Sequence, residues 1–343
     1  IAGQRVRWIV PYSPGGGYDI LSRLLEGPYQ RAIGAEIVID NEPGGGGLLA
    51  ATQLRDARPD GRTLAIISTP GLLAAGLTST ETYPNPIRDF DIIGRLERRE
   101  GVIVTGSGSG LRTMNDALAR QADRRLLVGI TGIASSNLVV WAVAGPLLGL
   151  EPDYLAGYPG SREEILGAMR GEVDMISVTF ESIQDAVEAG DLRVMMQLSN
   201  GPISDHPALA GSAWLGGRDG WVARRAPRAG YPMEDADGDG QALVDFLGAG
   251  TVVAAPRGVP TAVLACLRAG FQKAAQAPEF LSAVAAARRS LDVAGAEEAR
   301  AGLVAAEASL RRVAPAVRAA LKQVRQGGRR GTPVGPAGVE RIR

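Results

Sequence analysis

A glycine-rich turn near the start of the chain is the first feature whose residue types could do chemistry. The run is Pro11-Tyr12-Ser13-Pro14-Gly15-Gly16-Gly17-Tyr18-Asp19, between a predicted strand and a predicted helix. Three consecutive glycines let a ligand approach the backbone, and the helix start adds N–H groups without intrahelical acceptors and a partial positive charge. The run therefore predicts an anion cradle that needs no Arg or Lys, with a plain tight turn as the alternative.

A second glycine turn, residues 41–47, and several hydroxyl side chains also follow predicted strands. Ligands of open α/β sheets bind at the carboxyl ends of the strands, so side chains at these ends can line one cleft. A helix cap is the alternative role for each hydroxyl. The hydroxyl candidates are Ser68, Thr69, Thr131, Ser135, Ser136 and Thr179.

Most other catalytic chemistry lacks the residues that it needs. One His, His206, and one Cys, Cys266, argue against hydrolase triads, Cys–His pairs and His-based metal sites. The first glycine turn also lacks the Gly-Lys-Ser/Thr of a phosphate-binding loop. We expect His206 at the surface, Cys266 buried in a helix, and Glu163 and Glu164 on a solvated helix face.

An acidic run at residues 235–240 matches the first half of a calcium-binding EF-hand loop. Phe246 stands where the bidentate Glu of such a loop is required, and no flanking helices are predicted. The run is therefore interpreted as a polar loop. We expect no metal and no cofactor.

The composition favours an ordinary globular chain of about two domains, because 45% of the 343 residues are hydrophobic and 22% charged. The 37 basic residues equal the 37 acidic ones, which argues against a nucleic-acid partner. No apolar run reaches the 18 or so residues that span a membrane.

Strands, turns and helices alternate through the first 70 residues and again from residue 101, which predicts an α/β fold with a mostly parallel sheet. Capping boxes are predicted at Thr113 with Asp116 and at Ser161 with Glu164. Residues 68–71 are expected to form a turn and residues 200–250 loops with a short helix. A strand at 251–255, helices to about Val324 and a mobile tail complete the prediction.

The motifs occur in the order typical of one receptor family. The run from Trp8 to Asp19 with Arg23, followed by residues 37–47, 59–64, 131–136, 158–160, 171–174, 189–193 and 255–260, resembles the Bug (TctC-like) extracytoplasmic solute receptors of tripartite tricarboxylate transporters. The resemblance covers roughly residues 5–320. Two departures are Tyr18, where many members have Thr, and Tyr12, where Phe is common.

The resemblance implies an α/β, type II periplasmic-binding-protein fold, in which two lobes enclose a ligand cleft at a hinge. Lobe 1 is expected to comprise residues 1–100 and 245–343, and lobe 2 residues 101–244. Backbone N–H groups and water from the two glycine turns would hold the ligand's carboxylate. The implied ligand-binding residues are Tyr12, Ser13, Pro14, Gly15, Gly16, Gly17, Tyr18, Asp19, Gly45, Gly46, Ser68 and Thr69 of lobe 1, with Thr131, Gly132, Ala134, Ser135, Ser136 and Thr179 of lobe 2.

These inferences predict a periplasmic receptor, secreted with its signal peptide removed, that captures a small organic acid and delivers it to membrane transporter subunits. We expect a monomer and no enzymatic activity. The alternatives are a sensory module that presents its ligand state to a signalling protein, and a cofactor-free enzyme that uses a carboxylate such as Asp19. Arg95, Arg98 and Arg99 are expected on an exposed face.

Overall fold

The computed structural model describes residues 1–78, 83–98, 101–204, 206–224 and 233–327. The strands are β1 (Arg5–Val10), β2 (Glu36–Asn41), β3 (Thr63–Ser68), β4 (Phe90–Glu97), β5 (Gly101–Gly106), β6 (Leu127–Ile130), β7 (Asp153–Ala156), β8 (Ile176–Thr179), β9 (Leu192–Leu198), β10 (Ala213–Trp214), β11 (Thr251–Pro256) and β12 (Ala294–Gly295). The helices are α1 (Gly17–Ile33), α2 (Leu48–Asp56), α3 (Thr69–Thr78), α4 (Met114–Asp123), α5 (Ser136–Leu148), α6 (Ser161–Met169), α7 (Gln184–Glu188), α8 (Trp221–Arg224), α9 (Met233–Leu247), α10 (Thr261–Ala275), α11 (Pro278–Ala286) and α12 (Ala296–Gly327). Arg99 and the predicted tail beyond residue 327 lie outside the described residues.

The first sheet has six strands in the order β12-β4-β11-β3-β1-β2. β1 pairs in parallel with β2 and β3, whereas β11 runs antiparallel between β3 and β4. The centre of this sheet is therefore completed by a strand from late in the chain. The carboxyl ends of β1, β2 and β3 lie at one edge, which is where the two predicted glycine turns and Ser68 stand.

A second group of strands lies within residues 101–214. It has a four-stranded sheet, β10-β9-β5-β8, and a parallel pair, β6-β7. A parallel bridge between Val128 and Met175 connects the pair to the chain that leads into β8. The strand–helix alternation thus gives mixed sheets rather than the mostly parallel sheet predicted from the sequence.

Apolar residues on both faces of the first sheet hold these layers together. On one face, Trp8 of β1 packs edge-on against Tyr29 of α1 at 5.8 Å, and Tyr29 against Phe271 of α10 at 6.3 Å. Gly94 of β4 is required there, because a Cβ at that position would lie 2.2 Å from the Phe271 ring. Burying three aromatic side chains in this way is a large favourable term.

Helix α12 packs on elements of both groups of strands. It contacts α3 and β4 from the first part of the chain, and α5, α9 and β7 from the middle. Gln323 near its end donates a hydrogen bond to the carbonyl oxygen of Pro152 at 2.9 Å. The long helix therefore joins the two groups through one continuous apolar core. No helix in the described ranges is long and apolar enough to span a bilayer.

The structure corrects several local predictions. Residues 69–71, expected in a turn, belong to helix α3, and the 200–250 region contains the 15-residue helix α9, which includes the acidic run expected to be a loop. Cys266 is exposed rather than buried, because it lies on the outer face of α10. His206 is partly buried, with its ring 5.1 Å from that of Phe180.

The two predicted capping boxes have different outcomes. The one at Thr113 is confirmed, since the Thr113 side chain accepts from Asp116 N–H and the Asp116 carboxylate accepts from Thr113 N–H. The one at Ser161 is wrong, because Gly160 is the N-cap of α6 and Ser161 already lies inside the helix.

Candidate functional site

A cavity lies where the first turn of α1 faces the second group of strands. It encloses about 430 Å³, part of it open to solvent. One wall consists of Tyr12, Gly17, Tyr18, Glu97 and Arg289, and the other of Thr131, Asn137, Ser161, Glu164, Ser177, Val178, Thr179 and Ser182. A molecule bound in the cavity would therefore contact elements of both groups of strands.

The start of α1 supplies backbone donors to this cavity. Gly16 is the N-cap of α1, and no side chain caps the helix. The first intrahelical hydrogen bond runs from Ile20 N–H to Gly16 O at 3.0 Å. No described residue accepts a hydrogen bond from Gly17 N–H. Gly15 has a φ of 81°, a conformation that favours glycine. The turn thus presents an uncapped, positively polarised helix end to the cavity.

Asp19 fixes the conformation of the first glycine turn through hydrogen bonds. Its carboxylate accepts hydrogen bonds from Gly15 N–H at 2.8 Å, Arg23 Nε at 2.9 Å and Asn41 Nδ2 at 3.0 Å. Burial raises the pKa of Asp19, but these hydrogen bonds outweigh it and hold the pKa below the ordinary value. Asp19 is therefore a fixed anion that accepts the hydrogen bond of Gly15 N–H, so this N–H group is not available to a ligand.

Two tyrosines narrow the cavity beside this turn. The rings of Tyr12 and Tyr18 are 4.9 Å apart at an angle of 44°. The Tyr12 hydroxyl donates to the carbonyl oxygen of Gly46 at 3.1 Å, which ties the two glycine turns together. The two rings restrict the space beside the start of α1, so the cavity suits a small ligand.

A buried arginine that the sequence reasoning missed also reaches the cavity. Arg289 lies between α11 and β12 with only 4% of its side chain exposed, and its Nη2 is 3.0 Å from Oε2 of Glu97. Thr251 Oγ1 donates to the other oxygen of Glu97 at 3.2 Å. Arg289 Nε is buried without a hydrogen-bond partner among the described residues. The sequence around Arg289 contains no motif that indicates binding. The residue reaches the cavity through the first sheet, which combines early and late parts of the chain.

The opposite wall carries hydroxyl groups after two strands. The Thr131 hydroxyl is buried and has no hydrogen-bond partner in the described part of the chain. Thr179 Oγ1 and Ser182 Oγ are 2.8 Å apart and share a hydrogen bond. A buried hydroxyl without a partner is costly, so Thr131 is a position where a ligand atom would be favourable.

Glu164 contradicts the prediction of a solvated helix face. It is fully buried and lines the cavity, and Asn137 Nδ2 donates to both of its carboxylate oxygens at 2.7 and 2.9 Å. Its neighbour Glu163 accepts a hydrogen bond from Ser13 Oγ at 2.6 Å, across the two groups of strands. Arg95, also expected on an exposed face, is buried and pairs with Asp292 and Glu298. Arg98 is exposed, as expected.

The second glycine turn contacts the turn that follows β6 through its backbone. Ala134 N–H donates to Gly45 O at 3.2 Å, and a Cβ on Gly132 would lie 2.4 Å from the carbonyl carbon of Gly45. A Cβ on Gly46 would lie 2.7 Å from Ser135 N. Glycine at these positions permits the close approach of the two groups of strands.

The predicted ligand-binding residues therefore fall into two sets. Those that line the cavity are Tyr12, Gly17, Tyr18, Thr131 and Thr179. The others lie outside this lining and hold the turns, helix starts or contacts around it; they are Ser13, Pro14, Gly15, Gly16, Asp19, Gly45, Gly46, Ser68, Thr69, Gly132, Ala134, Ser135 and Ser136. Contact of either set with a ligand stays a prediction. Within the described segments no cluster of His, Cys, Asp or Glu could hold a metal ion.

Comparison with known proteins relates this arrangement to one family. The model of the tripartite tricarboxylate transporter family receptor matches residues 21–232. A UPF0065 protein from the tcbD-tcbE intergenic region of Pseudomonas sp. strain P51 is 26% identical over 81% of this chain and 76% of its own length. Protein BugT of Bordetella pertussis is 25% identical over 66% of this chain and 72% of its own.

Solved structures share the fold over most of the chain. The periplasmic binding protein BugD matches with a TM-score of 0.71 at 18% identity, covering 93% of this chain and 98% of BugD. Rhodopseudomonas palustris Rpa4515 with adipate has a TM-score of 0.70 at 20% identity, with 92% and 97% covered. MatC from R. palustris with bound malate has a TM-score of 0.68 at 20% identity, with 93% and 99% covered. The architecture is thus that of periplasmic binding proteins.

Proposed function

The chain belongs to the family of tripartite tricarboxylate transporter receptors, and from that premise we propose that it is a periplasmic solute-binding protein for a small organic carboxylate. It binds the acid between two lobes, residues 1–100 with 245–343 and residues 101–244, and delivers it to membrane transporter subunits. Its signal peptide is removed on secretion, and it acts as a monomer and not as an enzyme.

The cavity at the uncapped start of α1 carries this proposal. Gly17 N–H and the positive end of the helix favour an anion there, and hydrogen bonds to a charged acceptor are stronger than neutral ones. The buried hydroxyl of Thr131 faces the same space from the other wall. One carboxylate between the two walls satisfies donors from both, which favours the closed arrangement.

The size of the cavity and the ligands of the related structures narrow the choice of acid. MatC holds malate and Rpa4515 holds adipate, which are both small aliphatic dicarboxylates. Tyr12 and Tyr18 narrow the cavity of this chain, and its enclosed space suits a short acid. We place mono- and dicarboxylates of up to about six carbons in the substrate class.

Asp19 argues against the enzyme alternative. A general base that works near neutral pH needs a raised pKa, whereas the pKa of Asp19 lies below its ordinary value. Its carboxylate is already used by Gly15, Arg23 and Asn41. A bound acid should therefore be recovered chemically unaltered.

Replacing Thr131 by valine tests the binding site directly. The hydroxyl is buried and unpartnered in the described structure, so its loss should stabilise the ligand-free protein by about 1 kcal/mol. The same loss should weaken a bound carboxylate by about tenfold, because the ligand loses a hydrogen bond. Thermal unfolding without ligand and calorimetry with the best acid measure the two effects, which have opposite signs.

Ser68→Ala is the matched control. The Ser68 hydroxyl is also buried without a described partner, but it does not line the cavity. The variant should gain stability and keep the wild-type affinity. Equal affinities of Thr131→Val, Ser68→Ala and the wild type for every acid would contradict the proposed site.

A further inference from the structure

The segment that carries Arg289 lies beside the cavity. Residues 287–292, here called the strap, follow α11 and lead to β12 of the first sheet. On its other side the strap contacts the region between β8 and β9: Ser290 Oγ donates to Glu181 at 2.6 Å, and Arg288 Nη1 contacts the two carboxylate oxygens of Glu188 at 2.8 and 3.0 Å. The strap is therefore fixed from both sides, with Arg289 in its middle.

Arg289 points inward, away from these exposed contacts. Its guanidinium lies against the first residue of α1, because a Cβ on Gly17 would be 3.3 Å from Nη2 and 3.4 Å from Nη1. The Gly17 position is 3.4 Å from Ser182 Oγ by the same measure. The guanidinium, the helix start and a hydroxyl of the opposite wall thus converge at one point of the cavity.

The start of α1 and the guanidinium of Arg289 both present positive charge at this point of the cavity, which favours an anion between them. A guanidinium and the N-terminus of a helix both carry positive charge, and like charges repel more strongly where water is excluded. Glu97, whose side chain is only 9% exposed, balances the charge of Arg289 through Nη2, and Glu164 is a second carboxylate in the lining, on the opposite wall. Nε lies on the same edge of the guanidinium as Nη2, and it has no partner among the described residues.

A planar carboxylate can accept two parallel hydrogen bonds from the two N–H donors along one edge of a guanidinium. In this structure Glu97 uses one donor of that edge, and the other, Nε, has no partner among the described residues. An unpaired buried donor on a cation costs more than one on a neutral group. Arg289 therefore brings a charged, unsatisfied donor to the wall formed by the first sheet.

We propose that Arg289 is a ligand-binding residue, and that it makes the site select the carboxylate of the acid over a neutral group of the same shape. The proposal rests on the proposed function, because it takes the bound acid to lie at the start of α1. Glu97 holds the guanidinium in place and competes with the ligand for it. Since the strap is fixed on both sides, little order has to be gained on binding.

The test compares each acid with its primary amide, which has almost the same shape and no charge. The probes are the best aliphatic carboxylate of a panel and the corresponding carboxamide, and the readout is the amide-to-acid ratio, which is the dissociation constant of the amide divided by that of the acid, measured by calorimetry. Arg289→Gln should lower this ratio by about 10- to 100-fold, which is the range for a lost hydrogen bond to a charged group. Glu97→Gln should instead strengthen carboxylate binding by several-fold.

Arg125→Gln is the control, because Arg125 also pairs with a glutamate, Glu151, and does not line the cavity. Its side chain is 51% exposed, so the substitution should leave the ratio within about twofold of wild type. Arg289→Gln leaves Glu97 buried without its cation and can unfold the protein. The double variant Glu97→Gln/Arg289→Gln removes both charges, and its ratio should fall like that of Arg289→Gln.

The outcomes separate this proposal from the proposed function. If the wild type binds no carboxylate, the proposed function itself fails. If the wild type binds the acid and the double variant keeps the wild-type amide-to-acid ratio of dissociation constants, Arg289 belongs only to a structural ion pair and the proposal is wrong. Stronger carboxylate binding by Glu97→Gln, with a lower ratio in the double variant, supports it.

Discussion

At the scale of single residues, the site combines groups that the sequence could and could not indicate. Three glycines between a strand and a helix indicate a backbone cradle, because this residue type suits positive φ and close approach. Tyr18 is noticed as a departure from a family pattern, and it lines the cavity. Arg289 and Glu164 could not be identified, since tertiary contacts alone bring them to the cavity and bury them.

Tyr18→Thr should widen the cavity and change the preferred length of the acid. Losing the ring that packs on Tyr12 should cost roughly 2–4 kcal/mol of stability, as large-to-small core substitutions do. The dissociation constant of a six-carbon dicarboxylate should fall relative to that of a four-carbon one. Tyr12→Phe is the control, since it keeps the ring and removes the hydroxyl that donates to Gly46. An unchanged length preference in Tyr18→Thr would show that Tyr18 does not limit the ligand.

Asp19→Asn should alter how stability depends on pH. The pKa of Asp19 is below its ordinary value of 3.8, so its contribution is present above that pH and is lost as the pH falls through the folded-state pKa. At pH 7 the variant should be less stable by about 1–3 kcal/mol, the range for hydrogen bonds to a charged group. Urea unfolding from pH 7 to pH 3 should show the difference shrinking below about pH 4. A constant difference over this range would be inconsistent with an ionised Asp19.

At the scale of elements, local sequence patterns predicted most of the strands, but they failed for elements whose conformation depends on tertiary contacts. The Thr113 box depends on neighbouring residues and forms as predicted. The Ser161 box does not form, because the Glu164 carboxylate accepts its hydrogen bond from Asn137 Nδ2 and not from the start of α6. Residues 69–71, expected in a turn after the third strand, begin helix α3, and proline suits the first turn of a helix. Two elements, α3 and the turn after β6, come into close contact across the two groups of strands.

Gly71→Ala should hinder closure without changing the local backbone. A Cβ at Gly71 of α3 would lie 1.8 Å from the carbonyl oxygen of Ala134, across the two groups of strands. Small-angle scattering should show a larger radius of gyration with saturating ligand than for wild type, and calorimetry at least a tenfold loss of affinity. Gly76→Ala in the same helix meets no atom closer than 3.8 Å and should behave as wild type. Wild-type affinity in Gly71→Ala would mean that ligand binding does not require this contact.

At the scale of the whole molecule, the α/β class follows from the alternation of strands and helices, and the ordered motifs agree with the family match. The insertion of β11 into the first sheet is long-range, so local patterns could not supply it. Helix α9 was missed because its Asp and Gly residues are typical of loops. Its contacts with α12 and α5 override that weak preference. The same core joins both groups of strands and places the cavity between them.

A thermal-shift screen against small carboxylates, with calorimetry on each hit, tests the central claim most directly. Ligand at one hundred times its dissociation constant should stabilise the fold by about 2.7 kcal/mol, and the shift should grow with ligand concentration. The account predicts a clear shift with at least one mono- or dicarboxylate, one ligand per chain, and recovery of that acid unaltered. No stabilisation by any carboxylate, or conversion of the bound acid into a product, would contradict it.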